Sequence, residues 1–225
     1  ILNLRKTLKT GKITWSYLDS EKGDDIWLTL HGYGQNAEVM HKFMQTFRPN
    51  SRVLSFDLPL HGGTSVKKNE AIRIGDLAEL AGNALREVGG KKCSVLAYSL
   101  GGKVALKMIE LDPGKIEQLV LIAPDGLKTN RLYWLVTNTK VGKWIFQLVI
   151  VFPQPILFVS KLLSAVRIMN PKIHEFVSSQ LSEKENRQKI LDTWMIFKNV
   201  KPSLDQVGKR VWRYSVGLTL VFGKK

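Results

Sequence analysis

A serine becomes a nucleophile when its hydroxyl projects from a rigid apex, near a base and near donors that can hold a developing negative charge. Ser99 has the local sequence of such an apex, within Ala97-Tyr98-Ser99-Leu100-Gly101-Gly102. The apolar run Val95 to Ala97 precedes it, and Val104, Ala105 and Met108 follow at helical spacing. The expected order is strand, sharp turn, helix. Ala97 and Gly101 are small because the helix start must cross close to the strand end. An ordinary strand-to-helix turn also fits these residues, and Ala97 stands where the G-x-S-x-G pattern has its first glycine.

Two further stretches could hold charge or turn sharply. Ile26 to Leu30 is apolar and leads into His31-Gly32-Tyr33-Gly34-Gln35-Asn36. Glycines there let the backbone bend and leave N–H groups free for an oxyanion. His31 is expected to serve the loop through its backbone rather than its imidazole. Arg52 to Phe56 leads into Asp57-Leu58-Pro59-Leu60-His61-Gly62. Asp57 precedes Ser99 in a Pro/Gly loop, so a turn-forming role is expected over a catalytic one.

These loops need strands to carry them. Residues 1–19 alternate in polarity around a Gly11-Lys12 turn, which suggests two antiparallel strands at a sheet edge with one wet face. Asn36 is expected to cap a helix burying Val39, Met40, Phe43 and Phe47. Ala71 to Val88 repeats at helical spacing and ends at Gly89-Gly90. Ile116 to Ile122 is another buried strand, followed by Ala123-Pro124-Asp125-Gly126. Helices alternating with strands predict a doubly wound, mostly parallel α/β sheet. At 225 residues the chain is one domain, or one with an insertion. Its single cysteine, Cys93, argues against a disulfide framework and a cysteine-based metal site. The first residues lack the pattern of a signal peptide, so a cytoplasmic location is expected.

Three stretches in one order, Leu28 to Gly34, Phe56 to Gly62 and Ala97 to Gly102, resemble the α/β-hydrolase superfamily. The middle one is similar to that family's D-x-P-G-H-G loop, with Leu60 in place of the first glycine. The resemblance covers residues 1–126 and resumes near 203–225. It implies an active site at the carboxyl ends of the strands, with Ser99 as nucleophile. It implies an oxyanion hole from the backbone N–H groups of Tyr33 and Leu100, supported by Gly32 and Gly34. The reaction implied is hydrolysis of an ester-like small molecule through an acyl-enzyme, with no metal or organic cofactor. C–C bond hydrolysis, acyl transfer, and a non-catalytic ligand- or lipid-binding relative remain alternatives.

Residues 127–202 break the strand–helix rhythm and read as an inserted helical cap, leaving 1–126 and 203–225 as core. Arg131 to Val141 is one predicted helix. Trp144 to Leu163 is long enough to span a bilayer, but Pro153 and Pro155 divide it into two short helices. Pro171 starts a further helix, and Ser182 with Glu185 predicts a capping box for the last. Residues 127–213 hold 15 Lys/Arg against 5 Asp/Glu, whereas 1–126 hold 17 against 14. Basic residues among Trp, Phe and Leu suit an anionic membrane surface or amphiphile, while an ordinary solvated lid face is the alternative. No nucleic-acid recognition module is visible. Asp205 to Tyr214 is expected as a helix and Val216 to Phe222 as a strand. The family order places an acid and then a histidine after the nucleophile. Asp125 is a candidate acid, with a turn role as its alternative. His174 alone among the histidines follows Ser99, and it is expected on the cap. The triad histidine, and the family's usual acid position, are therefore expected beyond Lys225.

Overall fold

The computed structural model describes residues 5–66, 71–128, 131–166 and 170–223. Ile1 to Leu4, predicted to open the first strand, lie outside the described residues, as do Lys224 and Lys225. The chain divides into two compact units, Ile1–Lys128 with Asn199–Lys225, and Thr129–Lys198.

The first unit is built on seven strands: β1 (Arg5–Thr10), β2 (Ile13–Asp19), β3 (Ile26–Leu30), β4 (Arg52–Phe56), β5 (Cys93–Tyr98), β6 (Ile116–Ile122) and β7 (Gly217–Val221). Their order is β1-β2-β4-β3-β5-β6-β7. β1 pairs with β2, and β2 with β4, antiparallel. All other pairs are parallel. The chain thus steps from β3 to β4 on one side and then returns to place β5 on the other. That reversal opens a crevice at the carboxyl ends of β3 and β5.

Helices α1 (Ala37–Phe47), α2 (Ile74–Val88) and α3 (Leu100–Leu111) connect these strands. Gly89 ends α2 in the left-handed conformation (φ 73°), as a C-terminal glycine should. α9 (Leu204–Arg213) packs on α3 before β7. This cover explains why Leu100 to Ile109 are all buried, including Lys103 and Lys107, where the sequence predicts a single inward stripe.

Two sequence expectations are corrected here. β2 has no wet face, since Thr14 is its only residue that is not fully buried. The loop after β4 covers it, with Asp57 N–H donating to Ser16 O and Ser16 N–H to Thr64 Oγ1. On α1, Val39, Phe43 and Phe47 are exposed, and Ala37, Met40, His41 and Met44 face inward. The register turned because the buried polar chain Thr29–Ser55–His41–Gln45 satisfies the His41 ring under the sheet. A buried histidine with partners on both nitrogens looks polar in sequence but behaves as core.

The second unit holds α4 (Arg131–Asn138), α5 (Lys140–Val151), α6 (Gln154–Ala165), α7 (Pro171–Leu181) and α8 (Lys184–Ile196). Val136, Ile150 and Leu191 form its core with Phe146, Trp194 and Met195. The buried Arg187 donates to Ile150 O, Leu181 O and Ser182 O, closing the ends of α5 and α7. The predicted helix over 131–141 instead breaks at Thr139, whose hydroxyl caps α5 by accepting from Gly142 N–H. The predicted capping box at Ser182 does not form. Ser182 Oγ donates backward to Ser179 O, and α8 begins after Glu183.

Burial holds the His41 imidazolium pKa below its ordinary value of 6.5, against the opposing pull of Asp19. Just below pH 6.5 the unfolded chain therefore binds the proton more readily than the folded one. Stability from this group is complete above pH 6.5 and falls as pH drops through the folded value. Burial works against the Asp19 carboxylate, but Arg52, the Glu21 amide and Lys6 outweigh it and hold its pKa below 3.8, so Asp19 acts only at lower pH. Urea unfolding across a pH series should show stability declining below pH 6.5, and His41→Gln should flatten that decline. An unchanged slope in the variant would remove His41 as its source.

Candidate active site

Ser99 stands between β5 and α3 with φ 48° and ψ −113°. Such a conformation costs an L-residue about 1–3 kcal/mol and persists only where the surroundings overdetermine it. They do so here. Ser99 N–H donates to Ile122 O on β6 at 3.0 Å. Ser99 O accepts from both Gly102 N–H and Asp125 N–H at 2.9 Å. Gly101 N–H donates to His31 O at 3.1 Å, tying the start of α3 to the end of β3. A Cβ on Gly101 would lie 2.4 Å from Leu30 O, and one on Gly102 would lie 2.5 Å from the Pro124 side chain. Both glycines are therefore required by close approach.

The parallel register sets Leu30 beside Ala97, so the loops that follow β3 and β5 emerge side by side. A Cβ on Gly32 would sit 3.2 Å from Ser99 Cβ and 2.8 Å from the Tyr98 ring. The structure thus brings Gly32 and its neighbour Tyr33 to the Ser99 turn.

Within this loop three amides have acceptors. Gly32 N–H donates to Gln35 Oε1, Gly34 N–H to His61 Nε2, and Gln35 N–H to Gly32 O. At the other loop, Gly101 and Gly102 N–H are taken by His31 O and Ser99 O. Among the described residues, Tyr33 N–H and Leu100 N–H carry no hydrogen bond. Leu100 is the first residue of α3, where an amide has no acceptor within the helix. The first turn of α3 also holds no acidic residue, unlike α1 with Glu38 and α2 with Asp76. The positive end of its dipole is left uncompensated.

The Asp57 loop props this arrangement. Asp57 is completely buried and accepts from Ala37 N–H at 2.7 Å, Gly63 N–H at 2.9 Å, and Arg5. It anchors the start of α1 and a β1 side chain at once. Gly62 must be glycine, because its Cβ would overlap the Asp57 carboxylate at 2.1 Å. Leu60 occupies the left-handed region at φ 65°, a conformation that suits the glycine it replaces.

His61 is the residue that sequence reasoning left without a role. Its Nδ1–H donates to Pro59 O and its Nε2 accepts from Gly34 N–H, so it braces the loop that carries Tyr33. Its ring meets those of His31 and Tyr33 edge-on at 5.2 and 5.5 Å. The only signal for this in the sequence was its place after Pro59 in the middle motif. His31 is likewise buried, with Nδ1–H donating to Gly32 O and Nε2 accepting from Leu58 N–H.

Among the described residues, neither of the other candidates is hydrogen-bonded to the Ser99 hydroxyl. Asp125 is exposed, and its carboxylate accepts from Gly126 N–H. It faces Lys103, whose ammonium pKa burial lowers while Asp125 pulls it up. His174 lies on α7 of the second unit, with its Nδ1 2.9 Å from Ser160 Oγ. Among the described residues, no histidine is hydrogen-bonded to the Ser99 side chain. Burial raises the phenol pKa of Tyr33, keeping that side chain neutral. Burial also pushes the Cys93 thiol up to about 12, leaving it unreactive.

Residues 28–213 match the profile of the family described as alpha/beta hydrolase fold. A pimeloyl-[acyl-carrier protein] methyl ester esterase of Aeromonas salmonicida is 31% identical over 113 residues, 50% of this chain and 42% of that protein. A poly(3-hydroxyalkanoate) depolymerase of Ectopseudomonas oleovorans is 30% identical over 96 residues, 43% of this chain and 34% of that protein. These matches span less than half the length of either relative. A solved Pseudomonas aeruginosa structure, provisionally assigned as an epoxide hydrolase, superposes with a TM-score of 0.62 at 17% identity. It covers 99% of this chain and 79% of that one, which shows a shared fold.

The packing sets two expectations. Gly101→Ala forces β3 and α3 apart and should lower stability by about 1–3 kcal/mol. Asp57→Ala leaves two amides without their acceptor and should cost about 3 kcal/mol. Denaturant titration of both variants checks them, and wild-type midpoints would refute the account of these contacts.

Proposed function

The chain belongs to the α/β-hydrolase fold family, and from that premise we propose that it hydrolyses an ester-like small molecule through an acyl-enzyme on Ser99. One observation carries the reading. In the loops beside Ser99 the amides of Gly32, Gly34, Gln35, Gly101 and Gly102 are taken up internally, and those of Tyr33 and Leu100 are left unpaired. Two fixed donors next to a strained serine suit an oxyanion, and losing one such donor costs about 2.7–4 kcal/mol in turnover.

In this reading Ser99 Oγ attacks the substrate carbonyl carbon as a base removes its proton. The carbonyl oxygen takes the negative charge and is held by the two amides and the α3 dipole. The C–O bond to the leaving alcohol then breaks, and the alcohol receives the proton. Water attacks the acyl-enzyme by the same route and regenerates Ser99. We assign the base to a histidine oriented by an acid, in the order nucleophile, acid, histidine that the resemblance implies. Asp125 is the alternative acid, favoured by the hydrogen bond from its backbone N–H to Ser99 O. The ester names of the curated relatives and the apolar composition of residues 127–202 support an apolar acyl group. We read 127–202 as a cap inserted into a core of 1–126 and 203–225. We place the protein in the cytoplasm, where its single buried cysteine needs no partner.

A fluorophosphonate probe tests the nucleophile. Intact mass of the full gene product should show one adduct, absent from Ser99→Ala, and acyl-ester turnover should drop at least about a thousandfold in that variant. If the full gene product takes up no probe, the mechanism is wrong. Labelling of the full product but not of the 225-residue chain would locate the base outside it.

A further inference from the structure

α5 and α6 present an apolar face to solvent rather than to a core. On α5 the exposed residues Val141, Trp144, Ile145, Leu148 and Val151 recur at helical spacing, and exposed Phe152 follows at its end. At about 100° per residue they fall within an arc of about 120°. The opposite side, Gly142, Phe146 and Ile150, packs inward. On α6, Phe158, Val159, Leu162 and Val166 repeat the pattern, with Phe158 69% exposed.

Along the sequence the charge of the segment that holds α5 and α6 has one sign, although α7 and α8, which pack on them, carry Glu175, Glu185 and Asp192. From Gly126 to His174 the chain contains no Asp or Glu, but it has Lys128, Arg131, Lys140, Lys143, Lys161, Arg167 and Lys172. Lys140 and Lys143 are exposed along one edge of the α5 arc, and Lys161 along one edge of the α6 arc. Among the described residues no single helix is long and apolar enough to cross a membrane. α5 and α6 pass that test only together, and they meet at 87°. Two axes at a right angle can both lie in an interface that neither spans. An apolar arc edged by lysines, which can keep their ammonium groups among headgroups, matches a helix lying in that plane.

We propose that the α5–α6 face docks the protein on an anionic lipid surface, with the apolar arcs entering the acyl boundary and the lysines pairing with lipid phosphates. An acidic protein partner would answer the charge but has no need of five exposed apolar side chains on one helix. The proposal is independent of the Ser99 reading, because every residue it places in the lipid surface lies on α5 or α6 or at their ends.

Vesicle sedimentation tests it directly. The chain should pellet with vesicles of phosphatidylcholine mixed with phosphatidylglycerol far more than with phosphatidylcholine alone, and raised salt should weaken the effect. Trp144→Glu with Phe158→Glu should weaken binding at least about tenfold. Lys140→Glu with Lys143→Glu should abolish the preference for the anionic lipid. Circular dichroism checks that each variant folds, and Ser99→Ala should bind as wild type. No sedimentation with the anionic vesicles would overturn the proposal. So would binding that survives Trp144→Glu with Phe158→Glu, since that would show only the attraction of a +15 chain to any polyanion.

Discussion

The parallel register that sets Leu30 of β3 beside Ala97 of β5 is the constraint on which the site depends. It fixes where two loops leave the sheet, and those loops carry everything near Ser99. Because the sheet reverses direction of growth at β3, no connection covers this point, and the loop ends are free to face each other. The hydrogen bond from Gly101 to His31 O closes the gap between them. The demand for glycine at 32 and 101 follows from that closeness, and at 102 from the approach of Pro124 after β6, not from flexibility.

Asp57 is the second support. A fully buried carboxylate is costly unless its oxygens are occupied. Here two amides and the Arg5 guanidinium occupy them, so α1, β1 and the loop after β4 are held to one point. His61 extends the support to the loop bearing Tyr33. The consequence for chemistry is subtractive. Once the scaffold has satisfied its own donors, Tyr33 and Leu100 N–H are the ones left over beside Ser99. The strain at Ser99 is held by backbone hydrogen bonds to Ile122, Gly102 and Asp125, which is how a hydroxyl can be fixed in place without a side-chain bond.

The second unit follows a different logic. Its core is small, centred on Trp194 with Tyr133 and Phe146 against it, and Arg187 closes its helix ends. Much of its apolar surface therefore faces outward. A helix that is apolar on both sides cannot satisfy both faces against a core this small.

The sequence by itself determined the fold class, because strand and helix periodicity and the three loop motifs are local patterns. It also located the sharp turn at Ser99, since small residues on either side of a serine between strand and helix leave few other conformations. The break at Pro153 and Pro155 was legible for the same reason. Side-chain direction was not. His41 reads as polar and is core, while Phe43 and Phe47 read as core and are exposed. Ser182 has a capping sequence and does not cap. Ser182 turns to Ser179 O nearby, but the other departures were decided by partners distant in the chain: Ser55 under α1, the Asp57 loop over β2, α9 over α3. Only the tertiary structure could show which amides remain unpaired, because satisfying a buried donor requires knowing every acceptor within reach, and those come from residues far apart in sequence.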